Sequence, residues 1–177
     1  MYGVEHVMSD TNSQELDPFL REALSHVTLP AGARVLDLAC GRGRHALELA
    51  RLGYAVEAWD RNSEALAELN ASAAAENLTI EARQLDCEEP PSGGPFDLVV
   101  VFNYLDRALP PKLLPVVNQE AFLIYCTFTT ERPGSHPSDH WCLEPGELAR
   151  GFEGWVVQHS VEAKGRAGIV AKRADLG

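Results

Sequence analysis

Three kinds of residue that could bind a nucleoside cofactor lie close together between positions 34 and 60. The apolar stretch 35–39 contains the acid Asp37 and runs into a turn with glycines at 41 and 43. A glycine turn lets backbone N–H groups approach a ligand closely, and the helix after it presents unpaired N–H groups at its positive end. A second apolar stretch ends on Asp60, whose carboxylate can accept hydrogen bonds from both hydroxyls of a ribose. This spacing indicates recognition of a nucleoside cofactor.

Two classes of cofactor compete for this unit. Gly41-x-Gly43-x-x-Ala46 matches the dinucleotide fingerprint, and Asp60 lies where the ribose-binding acid is expected, as in a NAD-type dinucleotide-binding oxidoreductase. Asp37 would be an awkward neighbour for a pyrophosphate, whereas it suits a cationic sulfonium and amino group. The residues therefore favour a methyl-donor cofactor over a dinucleotide.

The motif Val-Leu-Asp-Leu-Ala-Cys-Gly-Arg-Gly at 35–43 resembles the first motif of class I S-adenosylmethionine-dependent methyltransferases. Across most of its length the chain is similar to small members of the tellurite-resistance (TehB-like) subgroup, and segments 53–60, 97–102 and 143–148 add to this resemblance. The resemblance implies S-adenosyl-L-methionine as methyl donor, S-adenosylhomocysteine as product and a small-molecule acceptor. It does not fix the acceptor.

The same resemblance implies a cofactor site at the ends of the first four strands. In the family, the acid near the end of the first strand lies under the methionyl part of the cofactor. The acid after the third strand, with the residue that follows it, typically meets the adenine edge. The predicted cofactor-binding residues are Asp37, Ala39, Cys40, Gly41, Gly43, Asp60, Arg61, Asp86, Cys87, Phe102 and Asn103.

Tyr104 and Arg107 are the predicted catalytic residues. They follow the continuous apolar run 96–102, which is typical of a central parallel strand, and ligands bind beyond the carboxyl ends of such strands. Arg107 is expected to help hold an anionic acceptor. A soft or already anionic acceptor, such as a thiolate or chalcogen oxyanion, needs no general base, whereas an alcohol or amine would need one. The family's usual Leu-His-Arg segment is only partly matched at 104–107, so a base role for its histidine has no counterpart here.

Two other interpretations have less support. His136, His140 and Cys142 could be metal ligands, but no fourth ligand is evident and the prolines argue against their lying on one face of a helix. No metal is therefore expected. The segment 129–142 is interpreted as a solvated loop at the mouth of the acceptor site. A degenerate cofactor-binding protein without turnover is favoured by the absence of a Gly-Gly turn before the fifth strand, at 117–120. The intact acids and glycines of the cofactor motifs disfavour it.

The elements that must position these residues are those of an α/β fold. Ser13 is expected to cap a helix that runs to about Val27. Helices are also predicted at about 42–52 and 62–77, as a short helix from Pro110, and within 144–150. Apolar runs predict strands at 35–39, 54–59, 78–85, 96–102 and 121–128, and a terminal antiparallel hairpin of 155–163 and 168–172. The expected fold is a Rossmann-like, seven-stranded methyltransferase sheet with a C-terminal antiparallel hairpin and helices on both faces.

Length and composition limit the remaining possibilities. The chain has 177 residues, enough for one domain, expected over 1–177 with a loose arm at 1–12. Its net charge of −11 argues against a nucleic-acid partner, and no apolar run is long enough to cross a membrane. The N-terminus lacks an apolar secretory region, so a cytoplasmic monomer or homodimer with free thiols at all four cysteines is expected.

Overall fold

The structure is a computed structural model that describes residues 17–89 and 91–174. Within these residues, seven strands form one sheet: β1 (Arg34–Leu38), β2 (Ala55–Asp60), β3 (Ile80–Gln84), β4 (Phe96–Phe102), β5 (Val117–Phe128), β6 (Trp155–Ala163) and β7 (Arg166–Arg173). Their order is β3-β2-β1-β4-β5-β7-β6. The first five strands are parallel, and β7 and β6 add an antiparallel hairpin at one edge. The predicted sheet and hairpin are confirmed.

Helices cover both faces of this sheet, as predicted. The described residues contain four α-helices: α1 (Pro18–Leu24), α2 (Arg44–Arg51), α3 (Ser63–Ala75) and α4 (Leu109–Leu113). Buried residues of α1, α2 and α3 pack on one face, and those of α4 pack on the other with Trp155 and Tyr125. No helix in the described part of the chain is long and apolar enough to cross a membrane.

Strand β4 occupies the centre of the sheet with the predicted boundaries. All but one of its residues are buried, because neighbouring strands flank it on both sides and helices or loops cover both faces. Its neighbour β1 lies between β2 and β4, so the strand order reverses at this position. In open α/β sheets such a reversal leaves a crevice beyond the carboxyl ends of the strands. The sheet order therefore places a ligand site next to the end of β1.

The N-terminal helix is shorter than predicted. Ser13 lies outside the described residues, and Asp17, with an extended backbone, caps the helix by accepting hydrogen bonds from the N–H groups of Phe19 and Leu20. Pro18 fixes the start, because its missing N–H costs nothing in the first turn. The expected extension to Val27 was wrong, since the Ser25 hydroxyl donates to the carbonyl of Glu22 at 2.6 Å and competes with further helical bonding.

Three other boundaries differ from the expectation. β5 begins at Val117 rather than 121, because Val117 pairs with Phe96 before a bulge in that ladder. The segment 144–150 contains only a short 3₁₀ turn, Leu148–Arg150, because Gly146 at φ +72° interrupts a regular helix. β7 begins at Arg166 because a tight turn at 164–165, with positive φ at both residues, joins it directly to β6.

Candidate functional site

A cavity of about 570 Å³ opens beyond the carboxyl ends of β1, β2 and β4, where the strand order reverses. Its volume lies within the range that is usual for small-molecule sites. Residues at the ends of three strands, the loop after β3 and the loop before Cys142 form its walls. They are Ala39, Asp60, Arg61, Asp86, Cys87, Glu88, Asn103, Tyr104, Leu105, Pro137 and Trp141.

Asp60 is held in a fixed orientation at the wall of this cavity. Its Oδ2 accepts a hydrogen bond from the Gly41 N–H at 2.7 Å, and its Oδ1 accepts one from the Asn62 N–H at 2.8 Å. A carboxylate has about four lone-pair sites, so two such bonds leave acceptor capacity for a ligand. Asp60 can therefore accept hydrogen bonds from vicinal hydroxyls without first being reoriented.

The turn between β1 and α2 contains three residues with left-handed backbone conformation. Ala39 has φ +58°, Gly41 has φ +54° and Gly43 has φ +73°. A Cβ added to Gly43 would lie 2.3 Å from Cδ1 of Leu69, whereas one added to Gly41 would meet nothing within 4 Å. Gly43 is thus required for the packing of α2 against α3. Gly41 leaves open space on the turn.

Asp37 lies fully buried behind this turn. The Ala46 N–H, in the first turn of α2, acts to lower the pKa of its carboxyl, and the N-cap residue of α2, Gly43, has no side chain. Burial raises the pKa of Asp37 to about 6, and its Oδ2 has no hydrogen-bond partner. A pyrophosphate at this helix end would face a second anion, whereas a cation would be stabilised. This arrangement counts against a dinucleotide.

A chain of polar and aromatic side chains ties α1 to the cavity. Arg166 donates from Nη2 to Oδ1 of Asn103 at 2.8 Å, and its Nη1 lies 3.9 Å from Oδ2 of Asp17. His45 Nε2 lies 3.9 Å from the same oxygen, and the His45 ring stacks on Phe102 at 3.9 Å. Burial works to raise the pKa of Asp17, but His45, the Leu20 N–H and Arg166 outweigh it and hold that pKa at about 2. Asp17 is therefore an anion that joins α1 to this wall.

Comparison with known proteins is decisive for the family. The model of the family described as tellurite resistance protein TehB matches residues 10–167. The chain belongs to the TehB family. A curated Haemophilus influenzae relative, named a probable S-adenosyl-L-methionine-dependent methyltransferase TehB, is 38% identical over 84 residues, which are 46% of this chain and 29% of the relative. The match thus spans less than a third of that relative's length.

Solved structures agree on the fold. The crystal structure of TehB from Haemophilus influenzae superposes with a TM-score of 0.76 at 22% identity, over 92% of this chain and 64% of that one. A SAM-dependent methyltransferase from Aquifex aeolicus gives a TM-score of 0.69 at 21% identity, over 87% of this chain and 89% of the other. At these identities the likeness shows the fold alone, which is the predicted class I methyltransferase fold.

In this TehB family chain, the cavity brings together more than half of the predicted site residues. Those that line it are Ala39, Asp60, Arg61, Asp86, Cys87, Asn103 and Tyr104. The other predicted cofactor residues are not among the lining residues: Asp37, Cys40, Gly41, Gly43 and Phe102. Asp37, Gly41 and Gly43 shape the turn from behind, and Phe102 packs against His45. Their contact with a cofactor stays a prediction.

Arg107 also lies outside the lining residues. Its guanidinium forms a bidentate pair with Glu147, with Nε–Oε1 at 2.5 Å and Nη2–Oε2 at 3.0 Å, and Nη2 donates to the carbonyl of Cys142 at 3.1 Å. The hydrogen bond to Glu147 is the main cause of a raised pKa at Arg107. Arg107 thus fixes the segment 142–147 beside α4, and its predicted hold on an acceptor stays a prediction.

Glu88, Pro137 and Trp141 line the cavity but were not predicted as site residues, whereas Leu105 was expected to face the site with the other residues that follow β4. Trp141 is the most informative, because half of its surface (52%) is exposed although it forms part of the cavity wall. It stands in a 3₁₀ turn, Asp139–Trp141, of the loop that was expected at the acceptor mouth. A large aromatic residue within a polar loop was the sequence signal that could have identified Trp141 as a site residue.

Two lining residues with ionisable protons, Tyr104 and Cys87, are poorly suited to act as bases near neutral pH. Burial is the main cause that raises the pKa of Tyr104 to about 12 and that of Cys87 to about 11, so both stay protonated. No histidine is among the lining residues of the described chain, because His136 and His140 do not reach the cavity. The lining groups that could accept a proton are therefore the carboxylates of Asp60, Asp86 and Glu88.

Proposed function

We propose that this chain is an S-adenosyl-L-methionine-dependent methyltransferase that acts on a small-molecule acceptor. The observation that carries the proposal is the fixed carboxylate of Asp60, held by two backbone N–H groups at the wall of a cavity of about 570 Å³. The position of Asp37 adds to it, because a buried acid behind the turn suits a cationic cofactor.

The residues present fit the adenosyl and methionyl parts of this cofactor. Asp60 would accept the hydrogen bonds of the ribose hydroxyls. Asp86 and Cys87, in the loop after β3, would meet the adenine. Asp37 would lie beneath the methionyl end, where its unpartnered Oδ2 supplies negative charge. A buried carboxylate oxygen without a partner is costly unless a cation is bound nearby, so this feature supports the assignment.

When bound, the cofactor would supply a methyl group on a positively charged sulfur, so that an acceptor lone pair could bond to the methyl carbon as the carbon–sulfur bond breaks and S-adenosylhomocysteine leaves. The chain's own contribution is to position the acceptor and keep water out. Asn103 and Tyr104 supply hydrogen-bonding groups, and Leu105, Pro137 and Trp141 add apolar surface to the lining. These neutral and apolar groups would orient the acceptor.

We infer a soft or already anionic acceptor, such as a thiolate or a chalcogen oxyanion, which the family's description as tellurite resistance protein also suggests. Such an acceptor needs no general base, which fits a lining that holds no histidine and in which Tyr104 and Cys87 stay protonated. Arg166, bonded to the lining residue Asn103, is a cation beside the cavity. Arg107 would add a second cation if it left Glu147. A freely diffusing acceptor rather than a nucleic acid is in keeping with the net charge of −11.

Calorimetric titration with S-adenosylhomocysteine, with NADH as the control, tests the cofactor. We expect binding of the first and none of the second. Release of S-adenosylhomocysteine from S-adenosyl-L-methionine is then measured with a small thiol, tellurite, a phenol and a primary amine. Turnover confined to the thiol or tellurite is expected. Turnover with only the phenol or amine would overturn the acceptor class, and binding without turnover would favour a cofactor-binding protein that is not an enzyme.

A further inference from the structure

Glu22, His26 and His159 form a compact cluster between the C-terminal end of α1 and strand β6. Each offers one ligand atom, and the three atoms lie within 4.8 Å of one another. Across residues 17–89 and 91–174, no other group of three or more His, Cys, Asp or Glu side chains is arranged in this way. The cluster lies outside the residues that line the cofactor cavity.

The helix supplies two of the three side chains at a fixed spacing. Glu22 is in the last turn of α1, and His26 follows four residues later in the turn that closes it, where its N–H bonds to the Ala23 carbonyl at 3.0 Å. Residues four apart in a helical turn lie on the same side, one above the other. The carboxylate and the imidazole therefore face the same neighbour.

A β-bulge turns the third side chain toward them. Val157 pairs with Ala171 and His159 pairs with Val170, so Gln158 is the extra residue of β6. Without the bulge, His159 would share the face of Val157, because strand side chains alternate. The extra residue places His159 on the face that holds Val170, where α1 also packs. Bulges re-aim side chains in this way at functional positions.

The resulting geometry brings the donor atoms near coordination distance. His159 Nε2 lies 2.9 Å from Glu22 Oε1, and the rings of His26 and His159 are 4.0 Å apart. Zinc takes imidazole and carboxylate ligands at about 2.0–2.2 Å, so donor atoms around it are separated by roughly 3–3.5 Å. The rings of His26 and His159 stack with 13° between their planes, so one imidazole must rotate before both nitrogen lone pairs point at a shared ion. Glu22 is exposed, and its flexible carboxylate can follow that rotation.

We propose that Glu22, His26 and His159 bind one divalent transition-metal ion, with Zn²⁺ as a well-suited ion and water completing its coordination. Two imidazoles and one carboxylate form a donor set that zinc uses when it retains an open position. The bound ion joins α1 to β6, which is the last strand in the order of the sheet and pairs with β7. It thereby holds in place the helix whose cap, Asp17, contacts Arg166 beside the cofactor cavity.

The test uses full-length protein without a histidine tag, stripped with EDTA and then titrated with Zn²⁺ by calorimetry. We expect one ion per chain, and we expect Co²⁺ to give the visible absorption of a nitrogen- and oxygen-ligated site. His159→Ala and His26→Ala should each weaken Zn²⁺ binding by about 100-fold or more, since loss even of an outer-sphere partner costs about 10–100-fold. His140→Ala is the matched control, because His140 is also exposed but lies outside the cluster.

Thermal unfolding separates a metal site from a simple ion pair between His159 and Glu22. Zn²⁺ should raise the melting temperature of the wild type and of His140→Ala, because a ligand that binds only the folded state stabilises it. It should leave His159→Ala and His26→Ala unchanged. The proposal is overturned if the stripped wild type takes up no Zn²⁺, or if both cluster variants bind it as tightly as the wild type.

Discussion

The carboxylate of Asp60 and the backbone N–H of Gly41 are joined by a hydrogen bond of 2.7 Å, which links the end of β2 to the turn after β1. The second oxygen of Asp60 accepts the Asn62 N–H, so the N-terminal cap of α3 depends on the same side chain. The carboxylate cannot turn away from the cavity without breaking both bonds. One side chain thus supports the turn and presents the proposed ribose-binding group.

Replacement of Asp60 by alanine is expected to weaken binding of S-adenosylhomocysteine by more than about tenfold, because a hydrogen bond to a charged group contributes about 1.5–3 kcal/mol. Calorimetry measures the affinity. Glu120→Gln is the control, since Glu120 is an exposed acid of β5 that pairs with Lys172 of β7 and does not line the cavity. An unchanged affinity in Asp60→Ala would remove Asp60 from the cofactor site.

The two glycines of the turn should respond differently to an added side chain. Gly41→Val is expected to block cofactor binding, because the new side chain would fill open space at the turn and the φ of +54° at this position would strain the backbone that carries the Asp60 contact. Gly43→Ala should instead lower the free energy of unfolding by about 1–3 kcal/mol, since its Cβ would lie 2.3 Å from Leu69. Urea denaturation and calorimetry on both variants separate the effects. Equal losses of affinity and stability in the two variants would contradict this division.

Ala39→Gly is expected to stabilise the protein by roughly 0.5–1 kcal/mol. A non-glycine residue in the left-handed region destabilises the folded state by about 1–2 kcal/mol. Glycine avoids this strain but has more conformational entropy in the unfolded chain, which offsets about 0.5–1 kcal/mol of the gain. Ala39 has φ +58°, a conformation that glycine adopts freely. Ala74→Gly, on an exposed position of α3, is the matched control and should lose about 1 kcal/mol. Urea denaturation should therefore show a higher free energy of unfolding for Ala39→Gly and a lower one for Ala74→Gly. A lower free energy of unfolding for Ala39→Gly would refute the expectation.

The buried acid Asp37 should make stability depend on pH. Its folded pKa, about 6, is raised by burial above the ordinary 3.8, so the ionised form is disfavoured in the folded state. The free energy of unfolding therefore falls as pH rises from about 4 to about 6. Asp37→Asn removes this loss. It should be more stable than the wild type above pH 6, by up to about 3 kcal/mol, and similar to it near pH 4.

The same group should make cofactor binding depend on pH. A cationic ligand favours the ionised form of Asp37, so affinity for S-adenosyl-L-methionine should fall below pH 6, by at most about tenfold per pH unit. S-adenosylhomocysteine lacks the sulfonium charge and should show a weaker dependence. Calorimetry from pH 5 to 8 measures both, and Asp37→Asn should abolish the difference between them. Parallel pH profiles for the two ligands in the wild type would show that Asp37 does not sense the sulfonium.

The sheet could be predicted from the sequence because its signals are local. The run at 96–102 is apolar apart from Asp97, and it forms β4 with the predicted boundaries. The glycines at 41 and 43 correctly predicted the turn before α2. The ends of elements were less predictable. Ser25 ends α1 through a side-chain bond to Glu22, and β5 begins at Val117 through pairing with Phe96, and neither contact is visible in the spacing of apolar residues.

The parts of the site that were not predicted depend on contacts between distant segments. Arg166 meets Asp17 and Asn103 only after the terminal hairpin adds to the sheet. Arg107 looked free in the sequence, and its partner Glu147 became evident only in three dimensions. A sequence motif identifies the residues that follow one strand. The role of a charged side chain depends instead on which oppositely charged residues the fold places next to it.

Trp141 should determine how well the acceptor binds without affecting the cofactor. It lines the cavity with Pro137, in the loop before Cys142, and half of its surface is exposed. Trp141→Ala removes an aromatic side chain from the cavity lining, so we expect KM for the acceptor to rise by about tenfold. Affinity for S-adenosylhomocysteine should stay within about twofold. A tenfold rise corresponds to the loss of roughly 1.4 kcal/mol of contact with the acceptor. Leu52→Ala is the matched control, because Leu52 is equally exposed (52%) but follows α2, outside the cavity. Steady-state kinetics with the acceptor identified by turnover provides the measurement. Equal KM values for the two variants would place the acceptor elsewhere, against Asn103 and Tyr104 alone.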